Sequence, residues 1–125
     1  MNDRQDITDL ISRLGRWLDD KRFDDARSVL TEDVTVSTPG GQAEGIDRVV
    51  AQASRTHQVP TQHLITNVLV EVDGDTATAT ANLLVTFAGD SQQGERYAFG
   101  AARTPDGWRL SRIEVTPIWR EQLRR

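Results

Sequence analysis

The sequence contains no cysteine. This absence excludes disulfide bonds, thiolate nucleophiles and zinc sites built on sulfur ligands. Lysine is nearly absent as well, because Lys21 is the only one and the other positive charges are arginines interspersed with acids. The formal net charge is −4, and the positive residues are not gathered into a basic stripe, so we expect no binding of nucleic acid.

Long apolar runs are also missing. No run approaches the roughly 20 apolar residues of a membrane span, so we expect no membrane partner. The first residues, MNDRQDITDL, carry acids where a secretory signal has basic residues followed by an apolar stretch, and we therefore expect a cytoplasmic protein. The length of 125 residues, without a linker or an internal repeat, predicts one domain over residues 1–125.

The N-terminal half has the periodicity of helices. Residues 3–20 predict an amphipathic helix whose apolar positions recur three and four residues apart: Ile7, Leu10, Ile11, Leu14, Trp17 and Leu18. A second, short helix is predicted over residues 23–30, and a third within GIDRVVAQASR, where Gly45 precedes the helix. Between the second and third helices we expect a short strand over 34–37 and a Pro-Gly-Gly loop.

The C-terminal half changes to the period of two that is typical of strands. Strands over 63–72 and 75–88 flank the hairpin dipeptide Asp73-Gly74, and strands over 95–104 and 108–118 form a second hairpin. Twisted antiparallel strands make a curved sheet, and the three helices must bury their apolar stripes against it. The predicted fold is therefore an α+β cone in which the helices close a pocket at the mouth of a bent antiparallel sheet.

The register of the first hairpin decides where its side chains point. If Asp73 and Gly74 are the two turn residues, His63 lies opposite Leu84. One face of this hairpin is then apolar throughout, whereas the other combines apolar walls with polar groups, as a pocket lining does. That second face contains His63, Ile65, Asn67, Leu69, Thr80, Asn82 and Leu84. A one-residue slip or a bulge would move one strand's whole set to the opposite face.

His63 is one of only two histidines. A lone histidine at the start of a strand is more often structural than catalytic, because a nearby carboxylate or backbone group easily satisfies an imidazole. A carboxylate partner would favour the catalytic interpretation. The acids at the end of the first helix and just after it are candidates for this partner: Asp19, Asp20, Asp24 and Asp25. His57 lies six residues earlier in a predicted loop without a third ligand nearby, so we expect no metal site and no cofactor.

Three segments of the chain resemble the SnoaL-like branch of the nuclear transport factor 2-like superfamily. They are RWLDDKRFDDARSVLTEDVTV, TQHLITNVLVEVDGDTATA and DGWRLSRIEV, and Gly45 opens a helix between the first two. The resemblance implies that residues 1–125 form a single SnoaL-like domain with a cone-shaped, cystatin-like roll. Members of the superfamily include scytalone dehydratase, ketosteroid isomerase, limonene epoxide hydrolase and polyketide cyclases.

The resemblance also implies a site. In scytalone dehydratase-like proteins an Asp near the end of the first helix pairs with a His that opens the strand before the DGD hairpin, and Asp19 and His63 occupy those places here. Asp19 would then orient the imidazole while His63 moves a proton. The pattern's second pocket histidine is replaced by Phe87, and its paired tyrosines are absent, since Tyr97 is the only tyrosine. These departures argue against the scytalone reaction itself.

The direction of the Asp19 side chain is left open by the helix pattern. On an ideal helix Asp19 projects about 140° from the centre of the apolar stripe. Either the helix tightens or ends near Trp17 and turns Asp19 inward, or Asp19 is a surface acid.

The sequence predicts a cofactor-independent enzyme that acts on a small, largely apolar ring compound by general acid/base catalysis, as a lyase, an isomerase or a cyclase. The predicted catalytic residues are His63 and Asp19, and the predicted substrate-binding residues are Trp17, Asn67, Asn82, Phe87 and Tyr97. Two alternatives stay open: a non-catalytic binding or accessory protein with the same pocket, and a dimeric interaction domain with a filled cone. A homodimer through the outer sheet face is expected in every case, because the strands carry apolar residues on both faces.

Overall fold

Two α-helices, one 3₁₀ helix and six strands make up the chain in a computed structural model, which describes residues 2–123. In chain order they are α1 Asp3–Asp19, the 3₁₀ helix Phe23–Ser28, β1 Leu30–Thr38, β2 Gly41–Glu44, α2 Ile46–Thr56, β3 Thr61–Asp73, β4 Thr76–Phe87, β5 Ser91–Thr104 and β6 Gly107–Gln122. The predicted α+β fold with three helices and a curved sheet is confirmed. Within residues 2–123 no helix is long and apolar enough to cross a membrane.

The first helix follows its predicted stripe. The Asn2 side chain caps it by accepting a hydrogen bond from the Gln5 backbone N–H at 3.1 Å. Every predicted stripe residue from Ile7 to Leu18 is buried in the core. The predicted range of 3–20 differs from the observed helix by a single residue at its end.

The second predicted helix, over residues 23–30, is too long. A 3₁₀ helix spans Phe23–Ser28 and is kinked at Asp25, and β1 already begins at Leu30. Leu30 pairs with Leu110 of β6 and is therefore part of the sheet. The helix ends before this pairing begins, although the helical spacing of apolar residues continues to Leu30. The third predicted helix is α2: Gly45 precedes it, as predicted, and it ends at Thr56, one residue beyond the predicted stretch.

The six strands form one sheet in the order β2-β1-β6-β5-β4-β3. Strands β3 to β6 form the predicted antiparallel meander. Strand β1 pairs in parallel with β6, and β2 folds back on β1 through a turn at Pro39-Gly40. Strand β2 was not predicted, because the stretch GQAE has no alternation of large apolar residues that would mark a strand.

The helices cover the concave face of the sheet, and the core lies between them. The largest fully buried side chains come from α1, from β1 and from the long strands: Phe99, Ile7, Leu10, Ile11, Leu14, Leu30 and Leu110. Helix α1 packs along β3, the edge strand that carries His63. This packing brings the end of the helix against the start of the strand.

The predicted register of the β3–β4 hairpin is wrong. The turn residues are Gly74 and Asp75 rather than Asp73 and Gly74, because Asp73 pairs with Thr76. A bulge between Thr66 and Leu69 adds a second shift, and Asn67 within it has a φ of 57°. His63 therefore pairs with Val85 and not with Leu84.

The bulge reverses the phase of β3 partway along the strand. His63 and Ile65 before it and Val68 and Val70 after it all turn toward the concave side, whereas Thr66 and Asn67 are both exposed. The predicted division into a packing face and a separate pocket face is thus wrong as well. One concave face provides both the core and the pocket.

Candidate functional site

Asp19 and His63 are joined by a short hydrogen bond. The His63 Nδ1 atom lies 2.6 Å from Asp19 Oδ1, and the His63 backbone N–H donates to Asp19 Oδ2 at 2.9 Å. The Thr61 hydroxyl donates to Asp19 Oδ1 at 3.0 Å. Three hydrogen bonds therefore fix the carboxylate, and the His63 side chain is only 3% exposed.

A glycine explains how Asp19 reaches the strand. Gly15 lies one helical turn before Asp19 on the same face of α1, and a Cβ atom there would sit 3.2 Å from the Ile65 Cδ1 atom and 3.6 Å from the His63 Cβ atom. Because Gly15 has no side chain, α1 approaches β3 closely along this face. The helix stays α-helical through Asp19, so neither a tightened helix end nor a surface acid describes the residue.

The hydrogen bond to Asp19 also assigns the protons of the His63 ring. A carboxylate only accepts, so Nδ1 carries the proton and Nε2 keeps a free electron pair when the ring is neutral. Burial lowers the pKa of His63, and the hydrogen bond and charge of Asp19 act in the opposite direction. The imidazole is therefore neutral at pH 7 and has a basic nitrogen to offer.

A cavity of about 400 Å³ lies between the helices and the concave face of the sheet. Its walls are mainly apolar and come from every layer of the fold, including Leu14, Trp17, Val49, Leu83, Phe87 and Ile113. Its polar side chains include Gln52, His57, His63, Gln93, Glu95 and Tyr97. Exposed residues at the Pro39-Gly40 turn and at Asp90 form part of the lining, so the cavity reaches the surface there.

His57 is a cavity residue that the sequence analysis did not assign to the site. Its ring stacks on His63 with 5.3 Å between centroids and an interplanar angle of 25°. Its Nδ1 atom lies 2.8 Å from the Ala53 carbonyl oxygen, which can only accept, so the proton is on Nδ1 and Nε2 is free. The pKa of His57 is lowered to about 4, mainly by burial. The charges of His63 and Lys21 act in the same direction, whereas the hydrogen bond to Ala53 and the charge of Asp19 act against it.

Glu95 is the second cavity residue that was missed. It lies on the cavity face of β5 between Gln93 and Tyr97 and is 9% exposed. Within residues 2–123 no group donates a hydrogen bond to its carboxyl, and burial raises its pKa. The alternation of β5 could have found it, because Glu95 shares the parity of the buried Tyr97, Phe99 and Ala101.

The predicted substrate-binding residues divide into two groups. Trp17, Phe87 and Tyr97 line the cavity. Asn67 and Asn82 do not: Asn67 is exposed in the bulge, and the side-chain Oδ1 of Asn82 accepts a hydrogen bond from Arg96 Nε at 2.8 Å on the convex face. Both were placed in the pocket by the register that the bulge overturns.

No three His, Asp or Glu side chains within residues 2–123 are grouped so that they could hold a metal ion. Tyr97 is fully buried, and burial raises its pKa, with smaller effects of the Glu95 and Asp19 charges in the same direction. Its phenol therefore stays protonated over the physiological range and is able to donate a hydrogen bond.

Comparisons with known proteins agree on family and fold. The family model of the SnoaL-like domain matches residues 1–114. An uncharacterized protein of Mycobacterium tuberculosis is 33% identical over 135 aligned positions, which cover 98% of this chain and 90% of that protein. The crystal structure of the Kfla4162 protein from Kribbella flavida superposes with a TM-score of 0.88, 28% identity and coverage of 95% of this chain and 93% of its own.

A hexachlorocyclohexane dehydrochlorinase has the same fold at lower sequence similarity. Its structure superposes with a TM-score of 0.86 at 19% identity and covers 97% of this chain and 88% of its own. Further solved structures that match this chain have a cystatin-like fold. The architecture of helices over a curved sheet is therefore the nuclear transport factor 2-like one.

Proposed function

We propose that this chain, which belongs to the SnoaL-like domain family, is a cofactor-independent enzyme of the lyase type. His63 is the general base that removes a proton from carbon in a small, largely apolar ring compound, and Asp19 orients it. The observation that carries the proposal is the 2.6 Å Asp19–His63 hydrogen bond beside an apolar cavity.

The chemistry of the pair supports a base. Asp19 holds the proton of His63 on Nδ1, which leaves Nε2 as the basic atom, and it stabilises the imidazolium that forms after proton transfer. A ring that is neutral at pH 7 can accept a proton without first losing one. His57 stays neutral beside it, so no positive charge on His57 opposes the protonation of His63.

The cavity supports a ring compound as the ligand. A volume of about 400 Å³ is at the small end of ligand pockets, and its apolar walls favour a ligand with few polar groups. The Tyr97 phenol is a donor for a ligand oxygen, such as the carbonyl that makes an adjacent C–H acidic. Trp17 and Phe87 are flat walls against which a ring can pack.

A relative with this fold is named for an elimination reaction, the dehydrochlorinase. At 19% identity, the similarity to this relative supports a shared fold but not a shared activity. Elimination nevertheless begins with the step proposed here, the removal of a proton from carbon, and we therefore place a lyase ahead of an isomerase or a cyclase.

The experiment measures proton removal without requiring the natural substrate. The probe is 1-tetralone, a bicyclic ketone, and mass spectrometry follows the exchange of its α-protons in deuterated buffer. His63→Gln should lower the catalysed exchange rate by a factor of roughly 100–10,000, the usual contribution of a general base. Near-ultraviolet circular dichroism of the variant checks that its tertiary packing is retained.

Two outcomes would contradict the proposal. One is a folded His63→Gln protein that exchanges the α-protons as fast as the wild type. The other is a wild-type protein that binds 1-tetralone, as tryptophan fluorescence would report, but does not accelerate exchange. That second result would favour the non-catalytic binding protein.

A further inference from the structure

A groove on the surface lies between β2 and α2, outside the cavity. It has a volume of about 440 Å³, and residues 42–44 of β2 form one of its walls. The other wall is a face of α2, on which Arg48 lies one helical turn before Gln52 and Arg55 lies one turn after it. The proposed proton abstraction uses none of these residues.

The two arginines of the groove are available to an anion. Within residues 2–123 neither Arg48 nor Arg55 forms a salt bridge. Ala51 lies between them on the helix, and its small side chain leaves room above it for both guanidinium groups, whose backbones are about 10 Å apart. Guanidinium groups bind the oxygens of carboxylates and phosphates in a bidentate way.

The charge of the groove differs in sign from that of the whole chain. Its lining, as far as the structure describes it, holds one acid, Glu44, against Arg48 and Arg55. The chain as a whole has a formal net charge of −4. An anion is therefore attracted to this groove in preference to most of the surface.

Gln52 joins the groove to the cavity. Its side chain lines both of them, and the residue is only 8% exposed. Its amide N–H donates to the Gly41 carbonyl oxygen at 3.4 Å, a long hydrogen bond that holds the amide weakly. The Pro39-Gly40 turn, where the cavity reaches the surface, comes directly before β2. A ligand that extends out of the cavity past Gln52 therefore enters the groove.

A second lining residue at the surface makes the groove the favoured direction for a negative group. Asp90 is an exposed acid in the lining of the cavity, and its side chain accepts hydrogen bonds from Ser91 and Gln122. Its carboxylate repels an anion, whereas Arg48 and Arg55 attract one. A ligand with a negatively charged arm is therefore directed toward α2.

We propose that the groove between β2 and α2 binds an oxyanion, a carboxylate or a phosphate, at the end of a short arm of the ligand whose ring occupies the cavity. The substrate class is then a small apolar ring compound with an anionic side chain. Arg48 and Arg55 bind the anion, and Gln52 contacts the arm. This inference rests on the proposed function for the ring, but the binding of the arm requires no proton transfer.

The test compares three probes that differ only in charge and end group. Each is 1-tetralone with a three-carbon arm on carbon 6, which ends in a carboxylate, in a phosphate monoester or in a neutral carboxamide. Tryptophan fluorescence measures the Kd of each probe without requiring turnover. The anionic probes should bind roughly 10-fold more tightly than the carboxamide, because two exposed charge pairs of ordinary strength together contribute about that factor. The tighter of the two identifies the anion.

Exposed substitutions test the two arginines. In the double variant Arg48→Gln, Arg55→Gln the ratio of the carboxamide Kd to the carboxylate Kd should fall to about one. Ala51→Glu places a carboxylate between the arginines and should reverse the preference. Arg13→Gln is the matched control, because it removes the same charge from the exposed face of α1, and it should leave the ratio at its wild-type value. Salt at about 1 M should weaken the wild-type preference, because it screens exposed charges.

The outcomes separate this inference from the proposed function. Equal Kd values for the three probes, or a preference that Arg13→Gln reduces as much as the double variant does, would overturn the inference and leave His63 as the base. If the anionic probes bind more tightly through Arg48 and Arg55 but no probe exchanges its α-protons, the anion site stands and the proposed function fails. A wild-type protein that binds none of the probes would contradict both.

Discussion

The two histidines of the chain are stacked, but different acceptors hold them. His63 donates to a carboxylate, and His57 donates to the backbone carbonyl of Ala53. A carboxylate stabilises an imidazolium much more than a neutral carbonyl does. Within the pair, any proton gained at moderately acidic pH therefore resides on His63, and His57 remains a neutral ring with its Nε2 atom free.

The buried neutral state of His57 makes the stability of the fold depend on pH. The unfolded chain gains a proton at His57 near its ordinary pKa of 6.5, whereas burial lowers the pKa of the folded group to about 4. The free energy of unfolding should therefore fall by up to about 3 kcal/mol as the pH decreases from 6.5 to 4, and the contribution should be fully present above 6.5.

Urea unfolding at a series of pH values measures this dependence. His57→Gln should flatten the curve between pH 6.5 and 4 but not abolish its slope, because burial also lowers the pKa of His63. The same slope in the variant and in the wild type would show that His57 is protonated in the folded protein.

At the same scale, the sequence predicts the Asp19–His63 pair but not its surroundings. The pair follows from a resemblance in which both positions match a known pattern. His57 follows from no spacing rule, because the packing of α2 on the sheet brings a loop residue over the ring of a strand residue. Glu95 was predictable from the parity of β5, yet a charged residue in a strand is normally assigned to the solvent face.

Helix α1 is attached to the sheet at both of its ends. At the start, Arg103 of β5 donates to the two carboxylate oxygens of Asp3 at 3.1 and 2.9 Å. At the end, Asp19 accepts the hydrogen bonds from His63 and Thr61. Gly15 lets the helix lie close enough for the second attachment to form. The position of the helix therefore determines the geometry of the site.

The size of the residue at position 15 should affect both stability and proton exchange. Gly15→Val places two methyl groups against Ile65 and His63, where a Cβ atom alone already comes within 3.2 Å of the Ile65 side chain. We expect a loss of about 1–3 kcal/mol in the free energy of unfolding, as for other overpacked sites, and a slower exchange of 1-tetralone protons.

Ser12→Val is the matched control, because it introduces the same residue, valine, on the exposed face of the same helix. Because serine and valine have similar helix propensities, the free energy of unfolding should change by less than about 0.5 kcal/mol, as for other exposed substitutions. Equal losses of stability in the two variants, with exchange unaffected in both, would mean that the close approach at Gly15 does not position Asp19.

At the scale of elements, helices α1 and α2 and the antiparallel meander were predictable, whereas the register was not. Periodicity identifies a strand but does not count residues across a bulge, and Asn67 gives no signal except its tolerance of a positive φ. The parallel pairing of β1 with β6 joins segments that are about 75 residues apart, as Val36 and Ile113 show. No local pattern specifies such a partner.

The convex side of the sheet carries an apolar row that crosses four strands. Leu64, Leu84, Gly94 and Trp119 pair in succession from β3 to β6. The Trp119 ring lies on Gly94, where a Cβ atom would collide with its Nε1 atom. The three side chains of the row are 36–46% exposed, and Ile118 beside it is 60% exposed.

We propose that a second copy of the chain covers this row. A two-fold axis across it would place the same apolar side chains of both copies against one another, which is the self-complementary contact of most homodimers. Leu84→Arg should convert the dimer to a monomer, because it places two like charges near the axis. Sedimentation velocity over a range of protein concentrations measures the change.

Thr78→Arg is the control for this prediction, since it adds the same charge on the convex face of β4 but outside the row. It should leave the association state of the wild type unchanged. A wild-type protein that sediments as a monomer at every concentration would rule out the dimer.

Because of the bulge at Asn67, the fold and the chemistry of the cavity can change independently of each other. A relative that lost one residue there could keep every helix, every strand and the same meander. Its β3 would then present the neighbour of His63, the aliphatic Leu64, to the hollow, and the imidazole would meet solvent. Chains of one common architecture can thus gain or lose a reactive interior through a single insertion that lies outside it.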